Sequence, residues 1–240
     1  MKRNHILDSY RGFTVISMIL FHLFYDINLF KQIPWYENFI INSVWQISIA
    51  ASFFIISGVT SSLLDRRKNI KRGIILNIIG LLITLVTYFF AREIMIIFGV
   101  MNGLGMCMLI TGLIQDKIKN LNTNIWSTLM LILYICTYNI QSGTVLFGKI
   151  EITEELYNLN LFPLGLPSLN FTSEDYFGFI PWIFIYLFGF FIGRKLIENN
   201  FYGKYGKGNI LSEIGKRSLA IYVLHQPLLY LLVIWIFEKI

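Results

Sequence analysis

Apolar residues fall along this chain in long unbroken blocks, not in the one-sided rhythm of a half-buried helix. The first block opens on Leu7-Asp8-Ser9-Tyr10-Arg11-Gly12 and turns almost wholly apolar before reaching Phe21-His22-Leu23-Phe24-Tyr25-Asp26. A helix needs about 20 mostly apolar residues to cross about 30 Å of hydrocarbon. That rule predicts seven membrane helices, at 12–30, 43–64, 72–91, 94–114, 125–140, 179–196 and 218–237, the fifth being the shortest. The predicted fold is an all-α, polytopic membrane bundle with residues 1–240 as a single domain. The longest connection, 141–178, carries Glu151, Glu154, Glu155, Glu174 and Asp175, with Pro163 and Pro167 inside it and Pro181 just beyond. It reads either as a cap over a site or as a surface loop with a short interfacial helix. The stretch 198–208, rich in Gly, Lys and Asn, reads as a connector. The first apolar block is too long for a cleavable signal peptide and has no small-residue cleavage site.

Composition makes the bilayer the main solvent. The chain is 55% hydrophobic and 14% charged, with mean hydropathy +0.62, against about 25% charged for a soluble domain. Its net charge of +6 is explained by topology. With the N-terminus cytoplasmic, the inner segments hold Lys2, Arg3, Arg11, Arg66, Arg67, Lys68, Lys71, Arg72, Lys117, Lys119, Arg194, Lys195, Lys204, Lys207, Lys216 and Arg217. The outer segments hold only Lys31, Arg92, Lys149 and Lys239. The positive-inside rule selects this orientation and places the chain, multi-pass, in the cytoplasmic membrane. It also removes the case for a nucleic-acid partner. Cys107 and Cys136 sit inside apolar blocks and read as small buried hydrophobes. No metal-ligand spacing, Walker loop or Gly-rich nucleotide fingerprint is present, and His5 reads as a tail residue.

The candidate chemistry lies in the few polar groups inside the blocks. His22 follows Gly12 by ten residues, about 15 Å of helix, and His225 follows Ser218 by seven, about 10 Å. Asn102 lies about 12 Å down a helix descending from the other face. All three fall in the middle third of the bilayer, so a shared polar cavity is expected. Asp26 stands at i+4 from His22, on the same helix face. A carboxylate beside an imidazole fixes its tautomer, an arrangement suited to a general base. The alternative is a polar pair that only holds helices together. In His225-Gln226-Pro227 the proline deprives the Val223 carbonyl of its helical donor, which either lines a cavity or makes an ordinary kink. Ser57-Gly58-Val59-Thr60-Ser61-Ser62 allows close approach of a neighbouring helix or of a ligand. Gly99-x-x-x-Gly103 and Gly189-x-x-x-Gly193 read as packing signals. Arg66, Arg67, Lys68, Lys71 and Arg72 suit either anionic lipid or a phosphate-bearing ligand.

Together these residues resemble a known family. Leu7-Asp8-x-x-Arg11-Gly12, Met18 and His22-x-x-Tyr25-Asp26 are similar to the opening of bacterial proteins related to the catalytic domain of heparan-alpha-glucosaminide N-acetyltransferase. Further matches are Phe54-Ile55-Ile56-Ser57-Gly58, Arg72, the run from Phe98 to Gly105, Asp175-Tyr176-Phe177 with Pro181-Trp182, and Gly215-x-x-Ser218-Leu219-x-Ile221-Tyr222-x-x-His225-Gln226-Pro227. The resemblance covers nearly the whole chain. Asn102 departs from the family pattern, which carries histidine there; asparagine cannot titrate but still donates and accepts hydrogen bonds. The resemblance implies a membrane acyltransferase that takes an acyl group from cytoplasmic acetyl-CoA and passes it to a hydroxyl or amine of a sugar, glycan or lipid-linked acceptor. No metal is implied. On that reading His22 is the general base, Asp26 orients it, and His225 and Asn102 position the carbonyl or the acceptor. Arg11, Ser57, Gly58, Arg66, Arg67 and Arg72 hold the CoA. Expected partners are membrane lipids and the acyl acceptor, with a homodimer an option. The competing readings are a proton-coupled transporter with a His22, Asp26 and His225 relay, and a scaffold subunit.

Overall fold

A computed structural model describes residues 4–201 and 206–237; Lys2, Arg3, Lys204 and Lys239 of the charge map lie outside them. The described residues form nine α-helices: α1 His5–Phe30, α2 Phe39–Ser62, α3 Arg66–Phe90, α4 Val100–Ile118, α5 Thr123–Thr137, α6 Glu154–Asn158, α7 Phe179–Glu198, α8 Ile210–Lys216 and α9 Ser218–Phe237. They also contain one antiparallel hairpin, β1 Thr144–Val145 with β2 Ile150–Glu151. Five helices, α1, α2, α3, α7 and α9, are long and apolar enough to cross a membrane. Their outward surfaces carry side chains such as Phe39, Ile40, Leu81, Phe89, Leu228 and Trp235, all exposed. Lipid is the environment in which such a surface is stable. Helices α4 and α5 overlap the fourth and fifth predicted spans, each shifted by a few residues, with 19 and 15 residues.

Local chemistry explains where the helices depart from the predicted limits. Helix α1 starts well before residue 12 because the Asn4 side chain accepts from the Ile6 and Leu7 N–H groups at 3.0 and 3.1 Å. Helix α3 starts at Arg66 because Asp65 caps it, accepting from Lys68 N at 2.9 Å. The Lys68 N–H and ammonium hold that carboxyl below the usual carboxylate value. Helix α4 starts late, at Val100. Phe98 adopts a left-handed φ of 57°, and the backbone before α4 pairs with the loop ahead of α7, Glu174 N donating to Met95 O and Phe177 N to Phe98 O.

The chain divides into two compact units, Met1–Phe53 with Asn200–Ile240, and Phe54–Asn199. In the first, α1 packs on α8 and α9. The crossing of α1 and α8 is a backbone contact. A Cβ at Gly12 would lie 2.0 Å from Leu211 O, and one at Gly215 would lie 1.9 Å from Asp8 O. Above it, Val15, Met18, Phe21, Tyr36 and Ile49 form a core, with Trp45, Ile214, Ile221 and Tyr222 packed around it. Helix α9 runs parallel to α1, His225 meeting His22 and, nearer the C-terminal ends, Phe237 stacking on Phe30. It passes through Pro227 without interruption.

In the second unit, α3 packs on α4, α5 on α7 and α4 on α7. The second half of α2 lies against α7 through small residues: a Cβ at Gly58 would lie 2.0 Å from Tyr186 O, and one at Gly189 would lie 2.3 Å from Ile55 O. Asn69 donates to Ser61 O at 2.9 Å and to Gln115 Oε1 at 2.8 Å, and Gln115 donates to Leu64 O at 2.7 Å. This network fixes the turn between α2 and α3. The connection 141–178 holds the hairpin and the short helix α6. The Tyr157 hydroxyl ties it down by donating to Ile140 O, and the Tyr176 hydroxyl by donating to Phe162 O.

The α1–α8 crossing gives a direct test. Gly12→Ala and Gly215→Ala each force backbone from backbone, and each is expected to destabilise by about 1–3 kcal/mol, as overpacking of a tight core does. Thermal unfolding in detergent checks it; unchanged melting would mean that these helices do not cross at their glycines.

Candidate functional site

The first unit brings four polar side chains of α1 and α9 together. His22 and His225 face each other edge to face, with ring centroids 4.8 Å apart and planes at 62°. The rings of Phe21 and Tyr222 flank the pair, 5.6 Å from His22 and His225 respectively. His225 is 9% exposed and Asp26 1%. The meeting of the two imidazoles agrees with the sequence reading, which placed both at mid-depth on helices rising from the same side.

The hydrogen bonds differ from that reading. Asp26 shares a helix face with His22 but does not bond it. Its Oδ1 accepts from Gln226 Nε2 at 2.8 Å, and its Oδ2, buried, has no hydrogen-bond partner among the described residues. The i+4 argument considered one helix alone, and the amide of the neighbouring helix takes the carboxylate instead. Gln226 is the residue the sequence reading passed over. It stood in the quoted His225-Gln226-Pro227 motif, and a carboxamide inside an apolar helix was itself the signal.

His225 has a defined tautomer. Its Nδ1 lies 2.6 Å from Tyr222 O. A backbone carbonyl only accepts, so Nδ1 carries the proton and Nε2 presents a lone pair. Among the described residues Nε2, which is buried, has no partner, and neither has Gln226 Oε1. Asp26 Oδ2, Gln226 Oε1 and His225 Nε2 are thus all acceptors.

Aromatic groups close over this end of α1. Tyr36, 4% exposed, donates to Phe21 O at 3.3 Å, and burial raises its hydroxyl above the usual phenol value. Trp45 stands edge-on to Phe21 at 5.4 Å and donates to Ser17 Oγ at 2.8 Å. No sequence signal pointed to either, because both belong to the α1–α2 turn and α2.

Other predicted residues have different surroundings. Asn102 belongs to the second unit, where it is buried, donates to Asn77 O at 3.3 Å and fills the space beside Gly80. The N–H of Val100, at the start of the same helix, donates to Asp175 Oδ2 at 3.2 Å. Arg11 lies near the base of α1, its guanidinium 2.9 Å from Asp8. Arg66, Arg67, Lys68, Lys71 and Arg72 are all exposed around the first turns of α3, with Arg66 3.7 Å from Asp116. Ser57 is half-buried, and α7 backbone occupies the space beside Gly58. Cys107 is buried, and both cysteines are free thiols.

The family model described as heparan-alpha-glucosaminide N-acetyltransferase, catalytic, matches residues 3–227. The chain belongs to this family. No curated protein and no solved structure matches it. In general terms, membership in the heparan-alpha-glucosaminide N-acetyltransferase family makes the chain a membrane acyltransferase-like protein. The matched region takes in both imidazoles, Asp26 and Gln226, and its last residue is Pro227.

Helix α4, which carries Asn102, depends on its outside cap. Asp175→Ala is expected to lower stability by about 0.5–2 kcal/mol, the usual value of a lost N-terminal cap, and Asp175→Asn by less because it keeps an acceptor. Melting temperatures of the two variants in detergent rank them; equal values would remove the capping role.

Proposed function

We propose that this protein is an integral-membrane acyltransferase of seven spans with a cytoplasmic N-terminus. It moves an acetyl group from acetyl-CoA, bound at the cytoplasmic face, to a hydroxyl or amine of a sugar, glycan or lipid-linked acceptor. The observation that carries this reading is the buried imidazole pair of α1 and α9, with its free Nε2, inside a chain of this family.

The tautomer of His225, fixed by Tyr222 O, favours its Nε2 over His22 as the proton acceptor. The acyl acceptor gives its O–H or N–H proton to Nε2 as its oxygen or nitrogen attacks the thioester carbonyl. The new C–O or C–N bond forms, the C–S bond breaks, and the departing CoA thiolate takes the proton back from the imidazolium. Such proton transfer contributes about 10²–10⁴ in rate. His22 stands against the ring that takes the charge and steadies its orientation. The exposed bases around the start of α3 supply forks for the CoA phosphates, which arginine binds two atoms at a time. Asn102, engaged with Asn77 and Gly80, holds α3 on α4.

The test is acetyl transfer from labelled acetyl-CoA by the protein in proteoliposomes, with glucosamine and octyl glucoside as acyl acceptors. His225→Ala is expected to lose about 10²–10⁴ in rate and His22→Ala less. Full activity in His225→Ala with loss in His22→Ala would return the base to His22. Absence of transfer, with proton uptake coupled to a solute, would favour a relay in a transporter.

A further inference from the structure

We infer that Gln226 and Asp26 recognise the acyl acceptor and that Asp26 also holds the Gln226 carboxamide in one orientation. The inference rests on the acyltransferase reading above. A carboxylate accepts and does not donate, so the Asp26 Oδ1 contact at 2.8 Å must come from the Gln226 NH₂. With the NH₂ on Asp26, Oε1 points away from that carboxylate, buried and without a donor among the described residues. Asp26 Oδ2 and His225 Nε2 are left the same way. Buried polar groups normally find partners, and none of these three atoms has a donor within hydrogen-bond reach among the described residues. What completes it must bring donors.

The missing complement defines the ligand's chemistry. One donor is the reacting O–H or N–H, whose proton goes to His225 Nε2. The others are neighbouring O–H or N–H groups that meet Gln226 Oε1 and Asp26 Oδ2. A substrate with several adjacent donors, such as a vicinal polyol or amino-alcohol, satisfies all three atoms. A lone amine or alcohol on an alkyl chain satisfies only one. Gln226 and Asp26 therefore both contact the substrate, and Asp26 also holds Gln226 in position.

The test exchanges the two groups. Asp26→Asn faces one amide with another, so either can turn over and the orientation of Oε1 is lost. Gln226→Glu sets two carboxylates against each other. The double variant Asp26→Asn/Gln226→Glu restores the bond in reverse, with the amide now on α1 donating to the carboxylate now on α9, and leaves a free acceptor at each position. Acetyl transfer is measured with glucosamine, which carries adjacent donors, and cyclohexylamine, which does not. Each single variant is expected to raise the KM for glucosamine about tenfold or more, as loss of a charge-assisted hydrogen bond does, while the KM for acetyl-CoA stays within about twofold. The double variant is expected to recover to within about threefold of the wild type. Wild type is expected to prefer glucosamine, and the single variants to lose that preference. If Gln226→Glu does not fold, Gln226→Met, which removes Oε1 without adding charge, must raise the KM for glucosamine in the same way.

Several results would overturn the inference. They are variants that lower only melting temperature, variants that raise both KM values together, a double variant no better than the singles, or a wild type indifferent between the two amines. A wild type that transfers acetyl to no acyl acceptor overturns the acyltransferase reading and this inference with it. Transfer that survives every change at residue 226 overturns the inference alone.

Discussion

The backbone crossing of α1 and α8 is the contact on which the site depends. Gly12 and Gly215 let the two chains touch without intervening side chains. From that point the chain runs ten residues along α1 to His22 and ten through the start of α9 to His225. At about 1.5 Å per residue His22 stands roughly 15 Å along α1 from the crossing, and α9, which begins at Ser218 just after α8 ends, brings His225 against it. Because α9 runs parallel to α1, the next polar residues, Asp26 and Gln226, also meet. A side chain at either glycine would separate the helices at their base and misalign each pair above. The motif that begins Leu7-Asp8 and ends at Gly12 is therefore a spacer for chemistry performed farther along the helix.

Much of this was legible in the sequence because bilayer thickness leaves helices little freedom. An apolar block of about 20 residues has one stable form in lipid, so the runs that become α1, α2, α3, α7 and α9 declare themselves. The depth of a residue then follows from counting, which is why His22 and His225 could be set level before any contact was known. Helix limits were less legible where a distant residue decides them. Nothing near Phe98 announces that the loop at 173–177 pairs with the backbone before α4 and delays its start. The small residues of α2 were ambiguous for a related reason. Gly58 allows close approach, but only the fold shows that α7 makes it.

Partner choice at Asp26 shows the limit of reasoning along one helix. Residues four apart share a face, and His22 with Asp26 invited the picture of an imidazole oriented by its own helix. A carboxylate in an apolar setting takes whatever donor is best placed, and an NH₂ offered across a parallel helix competes directly with a ring nitrogen one turn away. Periodicity has no access to that competition, because it depends on which residues of α9 face α1. Asn102 makes the same point. Counting residues placed it at mid-depth, while its hydrogen bond and its fit against Gly80 belong to the α3–α4 seam.

The satisfied and unsatisfied polar groups in these helices also bear on the scaffold alternative. Where polar residues serve packing, most of their hydrogen-bonding atoms are engaged. Asn69 and Gln115 bond each other and the turn between α2 and α3, Asn77 bonds Gly73 O, and the threonines of α3 bond carbonyls one turn back. Among the described residues, the partnerless buried atoms of the second unit are the hydroxyls of Ser61, Thr111, Tyr134 and Tyr186, with Asn69 Oδ1 and Arg194 Nε, dispersed over several helices. At the α1–α9 seam the partnerless atoms belong to a carboxylate, a carboxamide and an imidazole, and two of those three groups ionise. Burying an ionisable group without completing its hydrogen bonds destabilises a fold far more than burying a hydroxyl does. Helix adhesion alone would be served by polar groups that complete one another's hydrogen bonds, which these do not. A cluster of acceptors left open beside a proton-accepting nitrogen is accounted for when something else, bearing donors, occupies it during the protein's work.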